Sequence, residues 1–508
     1  MKIKLLYSSN KQTVLESSPV QNDDENDVWG HGFMIPSDAD SPPARWGNKN
    51  KWCRPSCIPI SIICILIFLV VLLPLLDHAA EKALLEINSM DTCNNTCKLS
   101  LTESIPEGLV YSNDSIIYPS TFDTWLGLIN SAQESIDIAS LYWTLRQSEV
   151  YPDPSSDKGE KIFQSLLRSG LDRGIKIRIA QNAPSQNFPN IDTELLAKRK
   201  AAEVRSLNFA KLLGGGVLHT KLWIIDRRHV YLGSANMDWR ALTQVKEMGI
   251  AIHNCSCLAE DVQKIFEVYW TLGADGAKIP SNWPAIFSTK FNMNTPMDLI
   301  YDNETFHTYF SSSPPSFSPV GRTDDIDALT NVINHAEKFV YISVMDYFPL
   351  MIYTAKIKFW PVIDDAIKTA AINHKVKIKM LISWWNHSRP SEDYFLRSLA
   401  TVNKAYPGVS IEVRRFIVPA NKEQQKIPYA RVNHNKYMVT DNTAYIGTSN
   451  WSGDYFTDTA GIAFVLHDPV FDRNSSHTTI RSQLQGVFER DWNSEYAYPL
   501  NLTEFIFL

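Results

Sequence analysis

Two strings in this chain hold the residue types that could break a phosphodiester. The first is His219-Thr-Lys221, then an apolar run to Asp226, then Gly233-Ser234-x-Asn236; the second is His434-Asn-Lys436, then Asp441, then Gly447-Thr448-x-Asn450. One such string would be weak evidence, whereas two with the same tail describe a site assembled from two halves. Facing one another, they would offer two imidazoles, two ammonium groups and two carboxamides. Protonated lysine neutralises phosphate oxygens but cannot ligate a divalent ion, so no catalytic metal and no cofactor are expected. The diester would then be split in two steps. One imidazole attacks phosphorus, the other protonates the leaving oxygen, and a covalent phosphohistidine links them.

The elements that position these groups follow from local pattern. His and Lys stand two positions apart at the head of an apolar, β-prone run (Leu222 to Ile225, Tyr437 to Val439), so strand alternation points them to one side. A second apolar run (Val230 to Leu232, Ala444 to Ile446) ends in the Gly-Ser/Thr-x-Asn turn, which would bring Asn236 or Asn450 beside the pair. Asp226 and Asp441 close the two catalytic motifs and fit best as residues that fix the local fold. The duplication reaches further, since INSAQESIDIAS from Ile129 matches INHAEKFVYISV from Ile333, and IKIRIA from Ile175 matches VKIKML from Val376. Each half reads as helix, strand, helix, strand, then the motif strands. The expected class is α/β: two duplicated α/β sandwich domains, over 106–295 and 296–508, sharing one pseudo-twofold active site. The Pro-Ser run at 311–319 reads as an exposed loop.

Residues 58–76 form an apolar run without a charge, long enough to cross a bilayer as a helix. Arg45, Lys49, Lys51 and Arg54 precede it and Asp77 and Glu81 follow it, which places the N-terminus in the cytosol and the motifs in the lumen. Residues 1–50 read as a disordered cytosolic tail, and 77–105 as a luminal stalk. Sequons agree: Asn94, Asn113, Asn254, Asn303, Asn386, Asn474 and Asn501 all follow the run. Asn450 also heads a sequon but lies in the second motif, where a glycan would block the pocket, so it is read as catalytic. Four cysteines follow the run, Cys93, Cys97, Cys255 and Cys257, in a disulfide-permissive compartment. A Cys255–Cys257 ring would be very tight, which favours ties between stalk and first domain, Cys93 with Cys257 and Cys97 with Cys255; a zinc set is the alternative. Cys53, Cys57 and Cys64 flank or enter the span, where thiols can carry palmitate.

Longer strings carry a resemblance: TESIPEGL from Thr102, YWTL from Tyr142, GSANMDWRALTQVKE from Gly233 and IPYARVNHNKYMVT from Ile427. They resemble the phospholipase D superfamily, and within it the type II membrane branch of endolysosomal 5′ exonucleases, over nearly everything after the apolar run. The resemblance implies that His219 is the nucleophile and His434 the acid and later base. It implies that Lys221, Lys436, Asn236 and Asn450 hold the phosphate oxygens, and that a downstream carboxylate orients each histidine, with Glu247 and Asp458 the nearest candidates. The implied activity is 5′→3′ removal of nucleotides from single-stranded DNA or RNA in late endosomes and lysosomes, reached through the endoplasmic reticulum and Golgi, with release of a soluble luminal form by proteolysis. Such digestion would limit nucleic-acid sensing in innate immunity. Transfer of phosphatidyl groups from phosphatidylglycerol-type lipids, making bis(monoacylglycero)phosphate, is the second activity the branch implies, and a homodimer is also implied.

Composition alone does not point to nucleic acid, since the formal charge is −6. At about pH 5, however, many of the 12 histidines would be protonated and the balance would move towards positive. Tyr142, Trp143, Trp239, Trp384, Trp385 and Trp451 are candidates to stack splayed bases, most of them competing with a plain role in the core. A catalytically silent membrane protein is the contrasting class; two complete motifs argue against it, because a decayed site would lose a His or Lys.

Overall fold

A computed structural model describes residues 97–146, 151–301, 304–469 and 478–500, with the strand Thr92–Cys93 and the helical positions Ile62, Ile63, Leu66 and Phe68. The tail 1–50, most of the expected span 58–76, Cys53, Cys57 and Cys64, most of the stalk, and sequons Asn94, Asn303, Asn474 and Asn501 lie outside the described residues. Among those described, no helix is long and apolar enough to cross a membrane.

From Lys98 onward the chain builds the same sheet twice. The first runs, neighbour to neighbour, Lys98–Ser104, Glu247–His253, His229–Gly233, Leu222–Ile225, Ser135–Ser140, Lys176–Asn182, Glu203–Leu207. The second repeats the order as Glu304–Ser313, Gly461–His467, Thr443–Gly447, Lys436–Thr440, Phe339–Val344, Lys377–Ser383, Ser410–Phe416. It is widened by Met297–Tyr301 and Thr92–Cys93 at one edge and by Ala497–Pro499 at the other. In both sheets the first four junctions are antiparallel and the last two parallel.

Strand alternation sorts the motif residues into layers. Leu222 and Ile224 enter a core shared by both sheets, while Trp223 and Ile225 face the outer helices of the first half. Tyr437 and Val439 do the same against Met438 in the second half. Helices Ser256–Leu272 and Ile480–Trp492 fill the shared core between the sheets, and each touches both. Helices Thr121–Ser131 and Asp157–Leu171 cover the first sheet; Asp325–Asn334 and Val362–Asn373 cover the second. The order is α, β, α, β, α. Burial on both strand faces is why the motif strands read as continuous apolar runs.

Two expectations change. Lys98–Ser104, counted within the stalk expected over 77–105, is an integral edge strand paired residue for residue with Glu247–His253. The Pro-Ser run is not an exposed loop at its start, since Ser311 to Ser313 complete a buried strand. Their hydroxyls find partners there: Ser311 Oγ donates to Asp325 at 2.8 Å and Ser313 Oγ to the Thr459 carbonyl at 2.9 Å.

Cys97 and Cys255 form a disulfide across a sequence separation of 158, tying the first strand to the start of helix Ser256–Leu272. Cys257 is disulfide-bonded as well, and the Cys93 side chain lies outside the described residues. Cys97, Cys255 and Cys257 have sulfurs within 4.8 Å of one another, but sulfurs held in disulfides are not thiolate ligands, which disposes of the zinc alternative.

Candidate active site

The two motifs are locked to each other by a reciprocal pair of backbone bridges. Leu218 bridges Ala460, and Asn433 bridges Lys246. His219 N–H donates to the Ala460 carbonyl at 2.9 Å and His434 N–H to the Lys246 carbonyl at 2.8 Å. Each motif histidine is therefore hung from the opposite half, and the pocket straddles the pseudo-twofold axis.

Both histidines are buried, at 6% and 9% exposure, and Lys221 and Lys436 are sealed at 0% and 1%. Each lysine folds back on its own motif: Lys221 Nζ donates to the His219 carbonyl at 2.5 Å and Lys436 Nζ to the His434 carbonyl at 2.8 Å. An ammonium has three N–H bonds, so two remain for a ligand. Burial, then Lys436, pushes Lys221 well below the usual lysine value; burial brings Lys436 down to about 8, against the pull of Glu247 and Asp346. Two depressed cations in one dry pocket would be relieved by an anion.

The histidines differ in what holds their Nδ1. His219 Nδ1 sits 2.8 Å from the Thr448 carbonyl. A carbonyl only accepts, so Nδ1 carries the proton and the neutral ring keeps its lone pair on Nε2. His434 Nδ1 lies 2.9 and 3.1 Å from the two oxygens of Glu247, whose carboxylate also accepts from Ser234 Oγ at 2.5 Å. A carboxylate favours the doubly protonated ring. Burial, then Lys221, Lys436 and His434, drives His219 well below the usual histidine value; burial also lowers His434, with Glu247 pulling it back.

This asymmetry has a backbone cause. Gly249 opposes Gly233 in the first half as Ala463 opposes Gly447 in the second, so the counterpart of Glu247 is Gly461. A Cβ there would meet Ser449 Oγ at 2.2 Å, leaving no room for a carboxylate. Asp458, expected to orient a histidine, does not: its carboxylate accepts from Thr457 Oγ1 at 3.1 Å, while Thr448 supplies the acceptor for His219. Asp226 and Asp441 stand away from the reacting groups. Asp226 accepts the backbone N–H groups of Gln133, Glu134 and Ser135 at 2.7–2.8 Å, and Asp441 those of Glu337, Lys338 and Phe339 at 2.9–3.2 Å. Each clamps the loop entering a central strand. Asn236 and Asn450 are buried with each Oδ1 unpartnered, and Asn450 Nδ2 donates to Tyr455 Oη at 3.1 Å. At 4% exposure Asn450 has no room for a glycan, whereas Asn113 and Asn386 are exposed and Asn254 is half-buried.

A cavity of about 140 Å³ opens beside His434, Glu247 and Asn236. Of the six candidate aromatics, Trp143, Trp239 and Trp451 are core, while Tyr142 and Trp385 line this cavity. Phe188 and Tyr429 join them, and neither carries a local signal: Phe188 is brought in by stacking on Tyr142 at 4.5 Å and Tyr429 by stacking on His387 at 4.4 Å. Arg240 and Asp238 were legible only as part of a longer string; Asp238 caps helix Trp239–Thr243, and Arg240 ties it to the Pro428 carbonyl of the other half. Asp346, beside Lys436 and accepting from Asn450 Nδ2 at 3.3 Å, carries no spacing signal because it follows the strand Phe339–Val344, which contains no motif.

Residues 112–421 match the family model described as PLD3/4, PLD-like domain. The chain is 48% identical over 441 residues to 5′-3′ exonuclease PLD3 of Xenopus laevis, covering 87% of this chain and 88% of that protein. To 5′-3′ exonuclease PLD3 of Homo sapiens it is 46% identical over 410 residues, 80% of this chain and 82% of that one. Among solved structures, phosphatidylserine synthase of Haemophilus influenzae superposes with a TM-score of 0.51 at 12% identity, over 75% of this chain and 86% of that one, a likeness of fold alone.

Proposed function

This chain belongs to the PLD3/4, PLD-like family, and from that premise we propose that the pocket performs metal-independent 5′→3′ cleavage of single-stranded DNA and RNA through a phosphohistidine. The protein is a phosphodiesterase of the phospholipase D superfamily and a 5′-3′ exonuclease. The observation that carries the mechanism is the unequal wiring of the two histidines.

His219 Nε2 places its lone pair on phosphorus, and the bond to the leaving oxygen breaks as His434 Nε2–H delivers a proton to it. Water then attacks the phosphohistidine, giving its proton back to His434, and the P–N bond breaks to free His219. Lys221 and Lys436 neutralise the non-bridging oxygens as charge builds up, and the amides of Asn236 and Asn450 hold them in place. Glu247 positions His434 and stabilises its charged form.

The proposed setting draws support from the same groups. A buried histidine nucleophile whose basicity is strongly suppressed stays unprotonated in acid, which suits a lysosomal lumen. The disulfides and the exposed Asn113 suit a secretory route, with residues 58–76 as the type II anchor and soluble release by proteolysis. Clearing single strands there would restrain innate nucleic-acid sensing.

The deciding experiment incubates the luminal part with EDTA in acid and a 5′-hydroxyl single-stranded oligonucleotide, with His219→Ala as control. Stepwise shortening from the 5′ end, absent in the variant, is expected. No shortening, with transfer from a phosphatidylglycerol-type lipid instead, would make lipid chemistry, including bis(monoacylglycero)phosphate synthesis, the primary activity.

A further inference from the structure

Beyond Trp385 lies a second and larger cavity, about 740 Å³, walled by Trp384, Trp385 and Arg431. Trp385 belongs to both cavities, and the segment Ala430–Val432 that leads into His434 contributes to both walls. The cavity beside His434, at about 140 Å³, is the smaller of the two. The larger one falls in the range of sites that enclose a small molecule, roughly 300–1,000 Å³.

Its wall carries polar groups that the fold leaves in want of partners. Arg431 is 7% exposed, yet among the described residues no carboxylate pairs with it: Nε donates to the Pro419 carbonyl at 2.9 Å, Nη2 to the same carbonyl, and Nη1 to Gln244 Oε1 at 3.1 Å. The nearest acid it feels, Glu107, is engaged through Gln244 Nε2 at 3.1 Å. Three other buried guanidiniums are matched by acids, Arg240 by Asp238, Arg322 by Asp261 and Arg415 by Glu392, whereas Arg481 bonds a carbonyl and an amide and lines neither cavity. Burial accordingly lowers Arg431 to about 10, still charged at any pH of interest. A guanidinium has five N–H bonds and only three are spent. Trp385 Nε1 is also buried without a partner among the described residues. The backbone sharpens the point. Arg431 sits at φ 59, where L-residues are rare, and its counterpart three residues before His219 is Gly216, at φ 84. The first half uses the residue this conformation favours, whereas the second keeps an arginine.

We propose that this cavity is a subsite for the second nucleotide of a bound single strand, with its base against the indoles of Trp384 and Trp385 and its 3′ phosphate on the Arg431 guanidinium. The proposal rests on the nuclease reading above. A planar base, an acceptor for an indole N–H and an anion for an unmatched guanidinium are what this wall lacks, and the nucleotide following the scissile phosphate supplies all three.

The test compares two dinucleotides, TpT and TpTp, which share the scissile phosphate but differ in the phosphate that Arg431 would bind. Wild-type kcat/KM is expected to favour TpTp by about tenfold, and Arg431→Gln to bring that ratio close to one. Ala420→Phe, which adds a ring to a residue lining the cavity, is expected to lower kcat/KM for both dinucleotides relative to thymidine 3′-(ethyl phosphate), which has no second nucleoside. If Arg431→Gln lowers TpT and TpTp equally, or Ala420→Phe treats all three substrates alike, the subsite is refuted while the exonuclease stands. A wild-type enzyme that cuts neither dinucleotide nor longer strands overturns the nuclease reading, and the subsite with it.

Discussion

Replacing Glu247 by Gln tests the division of labour between the two histidines. The glutamine keeps the shape and an oxygen for Ser234, but removes the negative charge 2.9 Å from His434 Nδ1. A hydrogen bond to a charged group contributes about 1.5–3 kcal/mol, and each 1.36 kcal/mol between protonation states is one pH unit. The carboxylate favours the charged ring, so its loss makes His434 easier to deprotonate. His434 acts as the acid in the first step, which places its titration on the alkaline limb of the rate profile. That limb is expected to move towards acid by about one pH unit, and kcat on the old plateau to fall about tenfold. His219 titrates on the acid limb and takes its orientation from Thr448, so that limb should stay where it is. The assay is oligonucleotide shortening under single-turnover conditions across the acid range, with Asp458→Asn in parallel. An alkaline limb that stays put or moves up, or an equal effect of Asp458→Asn, would refute the assignment.

Asp226→Ala removes the acceptor of three backbone N–H groups and should cost about 2–4 kcal/mol of stability, while the protein that remains folded keeps its KM; thermal unfolding beside steady-state kinetics separates the two. Cys255→Ser opens a loop with a sequence separation of 158 and should lower stability by roughly 2–5 kcal/mol, read as a fall in Tm. Burial pushes the Asp491 carboxyl up, but Lys246 at 2.9 Å and Arg490 together hold it below the usual 3.8. A depressed carboxyl contributes stability above its unfolded value and loses it only as pH falls through the folded one, so the contribution is intact at about pH 5. Asp491→Asn should therefore cost about 3–5 kcal/mol both at neutrality and at about pH 5, and a loss that vanishes in acid would contradict this.

The sequence by itself determined the reacting set, because the chemistry lies within short spans: His219 with Lys221, and His434 with Lys436, are held two residues apart by strand geometry whatever surrounds them. It also determined the duplication and the α/β class, since burial on both faces leaves runs such as LWII and YMVT in plain view. The opening strands Lys98–Ser104 and Glu304–Ser313 were missed, as was the third parallel strand of each half, Glu203–Leu207 and Ser410–Phe416. These outer strands carry serine, threonine and charge, and their pairing is settled by neighbours distant in the chain. What only the tertiary structure decided is how the halves differ. Glu247 reaches His434 because a strand of the first half is bridged to the second motif at Lys246, and Gly461 bars its mirror image because Ser449 fills the space. The contacts that set the two histidines apart, Glu247 with His434 and Thr448 with His219, join residues some two hundred positions apart, so no local spacing could assign the acid and the nucleophile. The cavity beside Trp385 was hidden for the same reason: its guanidinium is notable only for the carboxylate that folding does not bring to it.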